Sequence, residues 1–173
     1  MSGHSKWSQI KHKKGVSDQK KGQIFSKLAK KISIATREGT DPAGNYKLQS
    51  AIEEARSFNM PRENIERAVK RASDKDAAAL DEVIIQAMGP GGVAIIVEGI
   101  TDNKNRTIND VRHILAENNF KMVPENSLNW MFGPGWVPHT PLGLDQAAQE
   151  KLDKLFEDLD NHDDIENMHT NIK

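Results

Sequence analysis

The side chains with the most chemical potential are lysines gathered near the N-terminus. Residues 1–31 hold nine lysines and a single acid, Asp18. Ammonium groups at this density attract polyanions, because each cation displaces condensed counterions from a phosphate backbone. The alternative is an ordinary solvated, lysine-rich surface, but the density favours phosphate contacts. The predicted phosphate ligands are Lys6, Lys11, Lys13, Lys14, Lys20, Lys21, Lys27, Lys30 and Lys31.

Two ring side chains lie among these lysines. Trp7 and His12 have flat rings that stack on an unpaired base or enter a groove, so they join the predicted nucleic-acid-binding set. A basic patch of this kind does not separate DNA from RNA, since both polymers present the same phosphates. The residues alone therefore leave both polymers open.

A glycine-rich loop in the C-terminal half has the composition of a phosphate cradle. Gly89–Gly92 reads GPGG, and backbone amides in such loops bind anions. The loop lacks the Lys-Ser/Thr ending of a P-loop, and Pro90 removes one amide donor. It also joins two apolar runs, so we predict a hairpin turn that uses positive φ.

The segment Thr101–Thr107, TDNKNRT, holds oxygen and amide side chains that suit a metal or an oxyanion. The same residue types cap the start of a helix, and capping is the favoured interpretation. An enzyme that acts on a phosphorylated ligand would need this segment and the GPGG loop in one pocket. We regard that enzyme as the weaker alternative and predict no catalytic residues.

Metal and redox chemistry are disfavoured by composition. The chain has no cysteine, and none of its six histidines pairs with another at the i, i+4 spacing of a zinc-binding helix. We predict no metal and no cofactor. Residues 1–9 are polar with no apolar core after them, and no run approaches the roughly 20 apolar residues of a membrane span, so the expected location is cytoplasmic.

The charge changes sign along the chain. Residues 1–75 carry 17 Lys and Arg against 8 Asp and Glu, a net charge of +9. Residues 76–173 carry 7 against 17, a net charge of −10. Such asymmetry between halves favours a nucleic-acid partner for the basic half. The boundary also predicts two modules.

Helical periodicity dominates the basic half. Residues 1–16 lack periodicity and are predicted to be a basic, flexible arm, whereas residues 17–75 are predicted to form a helical domain. The predicted helices run from 17 to 37, from Tyr46 to Ser57 and from Pro61 to Ala72. Their apolar stripes include Ile24, Phe25, Leu28, Ile32, Ala35, Leu48, Ala51, Ile52, Ala55, Ile65, Ala68, Val69 and Ala72.

The acidic half alternates strands with helices. The predicted strands are Glu82–Met88, Val93–Thr101, Phe120–Val123, Ser127–Phe132 and Ile165–Ile172. The predicted helices are Asn105–Asn118 and Leu144–Asp160, the second with Leu152 on its buried face. This order indicates an α+β fold class, with residues 80–173 forming a ferredoxin-like α+β domain.

Several stretches together resemble the YebC/PmpR family, whose mitochondrial members include a translational activator of cytochrome oxidase. The resemblance rests on GHSKWSQIKHKKGV, NMPRENIERAVKRA and GPGGVAIIVEGITDNKNRTINDVRH, supported by SLNWMF and the closing helix and strand. It implies a helical N-terminal domain followed by two α/β domains, with no enzymatic activity or cofactor. In place of the third domain, this sequence has only residues 133–143, GPGWVPHTPLG. We therefore predict a short member without that domain.

The resemblance implies a non-enzymatic, nucleic-acid-binding regulator, in older descriptions a DNA-binding transcriptional regulator. The alternative is a ribosome-associated, RNA-binding translation factor that eases stalled elongation, with ribosomal RNA or tRNA as partner. A further alternative is a protein-interaction module whose lysine arm docks on an acidic partner, including a second copy of the chain.

Overall fold

A computed structural model describes residues 18–72, 74 and 79–173. The predicted arm and most of the predicted linker at 73–79 lie outside these described residues. The described chain divides into two compact units, one up to Asp81 and one from Glu82 onward. The first unit is helical and the second mixes a sheet with helices, so the predicted α+β class is confirmed.

The helical unit contains three α-helices and one short 3-10 turn. Helix α1 spans Asp18–Ala35, α2 spans Tyr46–Ser57 and α3 spans Arg62–Ala72, and the 3-10 turn Thr36–Glu38 follows α1. Asn45 fixes the junction between the first two helices. Its Oδ1 accepts from the Leu48 amide at 3.0 Å, and its Nδ2 donates to the Ala35 carbonyl at 2.7 Å. One buried side chain therefore caps α2 and ties it to the end of α1.

Leucine, isoleucine and alanine fill the core between these helices. Ile32 and Leu48 are fully buried, and Ala51, Ala55 and Ala68 let the helix backbones approach closely. The predicted stripes of α1 and α2 face this core, with Ile24 and Phe25 only partly buried. Periodicity thus located the buried face of each helix correctly.

The second unit is built on a four-stranded sheet with strand order β3-β1-β2-β6. Its strands are β1 Asp81–Met88, β2 Ala94–Thr101, β3 Lys121–Val123 and β6 Ile165–Thr170. Helices α4, Lys104–Glu117, and α5, Gln146–Asp160, complete the unit. Strand β3 pairs antiparallel with β1, and β6 pairs antiparallel with β2. The unit opens with a hairpin and runs β-β-α-β-α-β through this sheet, which differs from the predicted ferredoxin-like order β-α-β-β-α-β.

Each face of the sheet has its own cover. On one face, alternate strand residues such as Ile85 and Ile95 pack against Val111 of α4 and Leu155 of α5. The opposite face carries Ala94 and Ile96, which pack against Leu128 and Phe132 of the segment after β3. The sheet is therefore buried on both faces although helices cover only one.

The segment after β3 corrects two predictions. Residues 127–132 were expected to form a strand, but all except Phe132 lie in a turn and the 3-10 helix Asn129–Met131. Gln86 on β1 explains the difference, because its Oε1 accepts from the Leu128 amide at 2.8 Å and its Nε2 donates to Asn129. The expected loop at 133–143 begins with a hairpin, in which β4, Phe132–Gly133, pairs with β5, Val137–Pro138.

Candidate nucleic-acid interface

The predicted nucleic-acid-binding residues divide into two groups. Six of them belong to the arm and lie outside the described residues: Lys6, Trp7, Lys11, His12, Lys13 and Lys14. Five lie on α1: Lys20, Lys21, Lys27, Lys30 and Lys31. The arm residues stay a prediction. The structure describes the predicted interface only at the lysines of α1.

The lysines of α1 differ in exposure. Lys20 and Lys21 are exposed near the start of the helix, and Lys30 is half-buried. Lys27 is 5% exposed, which argues against phosphate contact through its ammonium group. Lys31 is half-buried and forms an ion pair with Glu54 on α2. Among the five α1 lysines, Lys20 and Lys21 are therefore the most exposed.

Further exposed cations lie outside the predicted set. Five of them form no ion pair with another described residue: Arg37, Arg56, Arg67, Lys70 and Arg71. The last three share the spacing i, i+3, i+4, which places them on one face of α3. This spacing is visible in the sequence NMPRENIERAVKRA. A search for lysine-rich segments does not detect it, because two of the three residues are arginines.

The two units keep opposite charge. Residues 18–72 carry 12 Lys and Arg against 7 Asp and Glu, a net charge of +5. Residues 82–173 carry 7 against 15, a net charge of −8. The field of the described helical unit is thus positive even without the arm, and it attracts a polyanion.

The TDNKNRT segment serves the fold of the second unit. Asn103 caps α4 by accepting from the Arg106 amide at 3.1 Å, as the capping interpretation predicted. Buried Asp164 accepts from the Thr101 hydroxyl at 3.1 Å, from Thr107 at 2.7 Å and from the Arg106 guanidinium at 2.9 Å. The hydrogen bond to Asp164 raises the pKa of Arg106 above its usual value, with Asp102 adding to the effect. These side chains are engaged in joining α4 to the strand β6.

The GPGG loop is a hairpin turn between β1 and β2. Gly91 and Gly92 have φ of 69° and 81°, and the Gly89 amide donates to the Val93 carbonyl at 2.8 Å. This confirms the predicted turn with positive φ. The turn precedes β2 and TDNKNRT follows it, so the strand's eight residues separate the two loops by about 23 Å. The two loops therefore lie at opposite ends of β2.

A second polar cluster surrounds Glu98 on β2. Its carboxylate accepts from the Trp136 indole at 2.7 Å and lies 2.9 Å from His169 Nε2 and 3.4 Å from Asn167 Nδ2. Burial raises the pKa of Glu98, but the hydrogen bonds from His169 and Trp136 outweigh it, and the pKa is lowered from its ordinary value. Sequence reasoning missed this cluster, because Trp136 and His169 lie far along the chain and meet Glu98 only in the fold.

The described residues were also compared with the requirements of a metal site and of a membrane-spanning helix. Within residues 18–72, 74 and 79–173, no group of three or more His, Asp and Glu side chains is arranged to hold a metal ion. Nor does any helix among those residues have both the length and the apolar character to cross a membrane. The cationic helical surface remains the strongest candidate site.

Family models match both units. The model described as the TACO1/YebC protein N-terminal domain matches residues 5–75. The model described as the TACO1/YebC second and third domain matches residues 80–135. Together they account for more than half of the chain, in the same order as the two units.

Individual proteins are similar over most of the sequence. A protein of Chlorobium chlorochromatii is 46% identical over 169 residues, covering 95% of this chain and 68% of its own length. One from Roseiflexus castenholzii is 42% identical over 183 residues, covering 100% and 72%. Both are named "Probable transcriptional regulatory protein". The crystal structure of a conserved hypothetical protein from Aquifex aeolicus matches with a TM-score of 0.87 at 28% identity, covering 98% of this chain and 97% of that one.

Proposed function

The chain belongs to the TACO1/YebC family, and on that premise we propose that it is a non-enzymatic, nucleic-acid-binding regulator that acts on transcription through DNA. Its relatives from Chlorobium chlorochromatii and Roseiflexus castenholzii are each named "Probable transcriptional regulatory protein". The observation that carries the proposal is the surplus of cations on the helical unit, +5 over residues 18–72. The location we propose is the cytoplasm.

Phosphate neutralisation is the proposed mode of binding. Lys20 and Lys21 are exposed on α1, and the arm directly before this helix adds Lys11, Lys13 and Lys14. Each ammonium group that meets a phosphate releases a counterion, and that release supplies the favourable free energy. Trp7 and His12 add stacking on bases. The acidic unit, at −8, repels the polymer and supplies protein contacts or solubility.

Fluorescence anisotropy of a labelled 30-base-pair DNA duplex, titrated with the full chain at several salt concentrations, tests the proposal. We expect the dissociation constant to rise with salt on a linear log–log plot, with a slope of about 0.9 per phosphate contact. Replacing Lys11, Lys13 and Lys14 with Ala, or Lys20 and Lys21 with Ala, reduces that slope. The Lys151→Ala/Lys154→Ala variant is the matched control, because both residues are exposed on α5 in the acidic unit. Equal slopes for all variants would contradict the proposal.

Structured RNA distinguishes transcription from translation as the site of action. A ribosomal RNA hairpin carries the same phosphates and enters the same titration as a competitor. Tighter binding of the duplex supports the proposed transcriptional role. Preference for the RNA by tenfold or more at the same salt would move the function to the ribosome, with the same lysines as ligands.

A further inference from the structure

Three cations form a row on α3. Arg67, Lys70 and Arg71 are exposed, and the i, i+3, i+4 spacing sets them on one face of the helix. The rise of 1.5 Å per residue separates the first from the last by about 6 Å along the axis. One DNA strand carries one phosphate per 3.4 Å of its axis, so about 6 Å covers two steps and matches three successive phosphates.

The acids of the same helix leave this row uncompensated. Glu66 stands four residues before Lys70, the spacing of a helical ion pair, but it turns the other way and bonds Arg62 at 2.6 Å. Glu63 stands four residues before Arg67 and forms no ion pair with it in the described part of the chain. Over residues 18–72, 74 and 79–173, the three row cations have no carboxylate within ion-pair distance. Their positive charge is therefore available to a partner.

Arg37 is a further cation on an element that contacts α3. The Ser33 hydroxyl of α1 donates to the Ala68 carbonyl of α3 at 3.0 Å, which joins the two helices. The 3-10 turn Thr36–Glu38 continues α1 and contacts α3, and Arg37 is exposed on that turn. Its neighbour Glu38 is engaged by Lys47. Four cations thus gather around one helix of the basic unit.

Helix stability alone does not account for this arrangement. Lys70 and Arg71 lie in the last turn of α3, where cations interact favourably with the carbonyl end of the helix. Arg67 lies a turn earlier, beyond the range of that effect, and Arg37 belongs to a different element. A guanidinium group binds phosphate in a bidentate manner, so arginines in such a row suit a phosphate partner.

We propose that Arg67, Lys70 and Arg71, together with Arg37, form a second nucleic-acid-binding surface, which binds the sugar-phosphate backbone. This inference rests on the proposed function and adds a contact surface on α3 to the arm and α1. Because the row contacts phosphates, it strengthens binding to every sequence alike and carries no sequence preference.

The Arg67→Ala/Lys70→Ala/Arg71→Ala variant of the full chain tests the row with the labelled duplex. Alanine is the strongest helix former, so α3 is retained. Loss of three phosphate contacts lowers the log–log salt slope by about 2.7. Between 50 and 200 mM salt, the wild-type chain should then lose about 40-fold more affinity than the variant does. Two unrelated duplex sequences should show the same change.

Two further variants make the outcome decisive. Arg62→Ala is the matched control, since Arg62 is an exposed arginine of the same helix that already has Glu66 as partner, and its slope should equal that of wild type. Arg67→Lys/Arg71→Lys keeps the charge and should restore most of the slope. A wild-type chain that binds no duplex at low salt would overturn the proposed function itself. Binding with a wild-type slope in the triple variant would overturn only the α3 surface.

Discussion

Trp136 holds an unusual position for a large side chain. It has a φ of 58°, in the left-handed region that bulky residues rarely adopt. Its indole nitrogen donates to Glu98, and its ring meets Phe132 edge to face, with ring centres 6.1 Å apart. The hydrogen bond and the ring contact offset the strained backbone. Glu98 therefore anchors the β4–β5 hairpin to the sheet.

This anchor predicts a pH-dependent contribution to stability. The pKa of Glu98 lies below its ordinary value of 4.5, so its stabilising effect is fully present above that pH and is lost as the pH falls through the folded-state pKa. The Glu98→Gln variant lacks the carboxylate. We expect the difference in unfolding free energy between wild type and variant to be largest near pH 7 and to shrink toward pH 3.

Urea unfolding at a series of pH values from 7 to 3 measures that difference. Glu150→Gln, which removes one negative charge from the exposed side of α5, controls for the change in net charge. A difference between wild type and Glu98→Gln that stays constant across the series would show that the carboxylate's charge does not hold the hairpin.

The periodicity of apolar residues was sufficient to predict helix α5 and its buried face. Its leucines recur at helical spacing, and Leu152, Leu155 and Leu159 are all buried in the core beneath the sheet. The local pattern was sufficient because the helix buries one stripe and exposes the rest. Turn and cap residue types likewise predicted the hairpin at GPGG and a helix cap within TDNKNRT, where Asn103 supplies it.

Leu152→Ala should therefore lower the free energy of unfolding of the α+β unit by about 2–5 kcal/mol, since it removes a 3% exposed side chain and leaves a cavity. Urea unfolding followed by circular dichroism measures the loss. Lys151→Ala, exposed one position earlier on the helix, should change stability by no more than about 0.5 kcal/mol. Equal midpoints for the two variants would place Leu152 outside the core.

The local sequence pattern did not predict elements whose conformation depends on contacts with residues far along the chain. Alternation in SLNWMF suggested a strand, but Gln86 on β1 binds the backbone at Leu128 and imposes a turn. Gly133-Pro134-Gly135-Trp136 forms a second turn like GPGG, with φ of 68° at Gly135, although the segment was expected to be a plain loop. Both outcomes rest on contacts between residues more than 35 positions apart.

The sequence predicted the sign of the charge at the candidate interface, but it did not predict which residues are exposed there. Charge density correctly marked the helical unit as cationic. It could not show that Lys27 is buried or that Lys31 faces Glu54, because a helical wheel carries no information on the neighbouring helices. It also missed Arg67, Lys70 and Arg71. Glu66, which has the spacing of an ion pair with Lys70, binds Arg62 instead.

The two units of the molecule carry opposite net charge, so they differ in their attraction for a polyanion. The described helical unit carries +5 and the α+β unit −8. Both units match models of one family, so the asymmetry lies within a single functional protein. The absence of the family's third domain at residues 133–143 stays a prediction. A polyanion should therefore be bound by the helical unit alone.

Hydrogen exchange measured by mass spectrometry tests this division on the full chain. At a duplex concentration 100 times the dissociation constant, binding stabilises the native form of the unit that binds by about 2.7 kcal/mol. Amides of α1, α2 and α3 that exchange through unfolding of that unit should slow by about 100-fold, because each 1.4 kcal/mol corresponds to a factor of ten. Amides of the sheet should keep their rates, since the acidic unit repels the polymer. Protection that appears in β1, β2 and β6 instead would assign the nucleic acid to the α+β unit and contradict the charge argument.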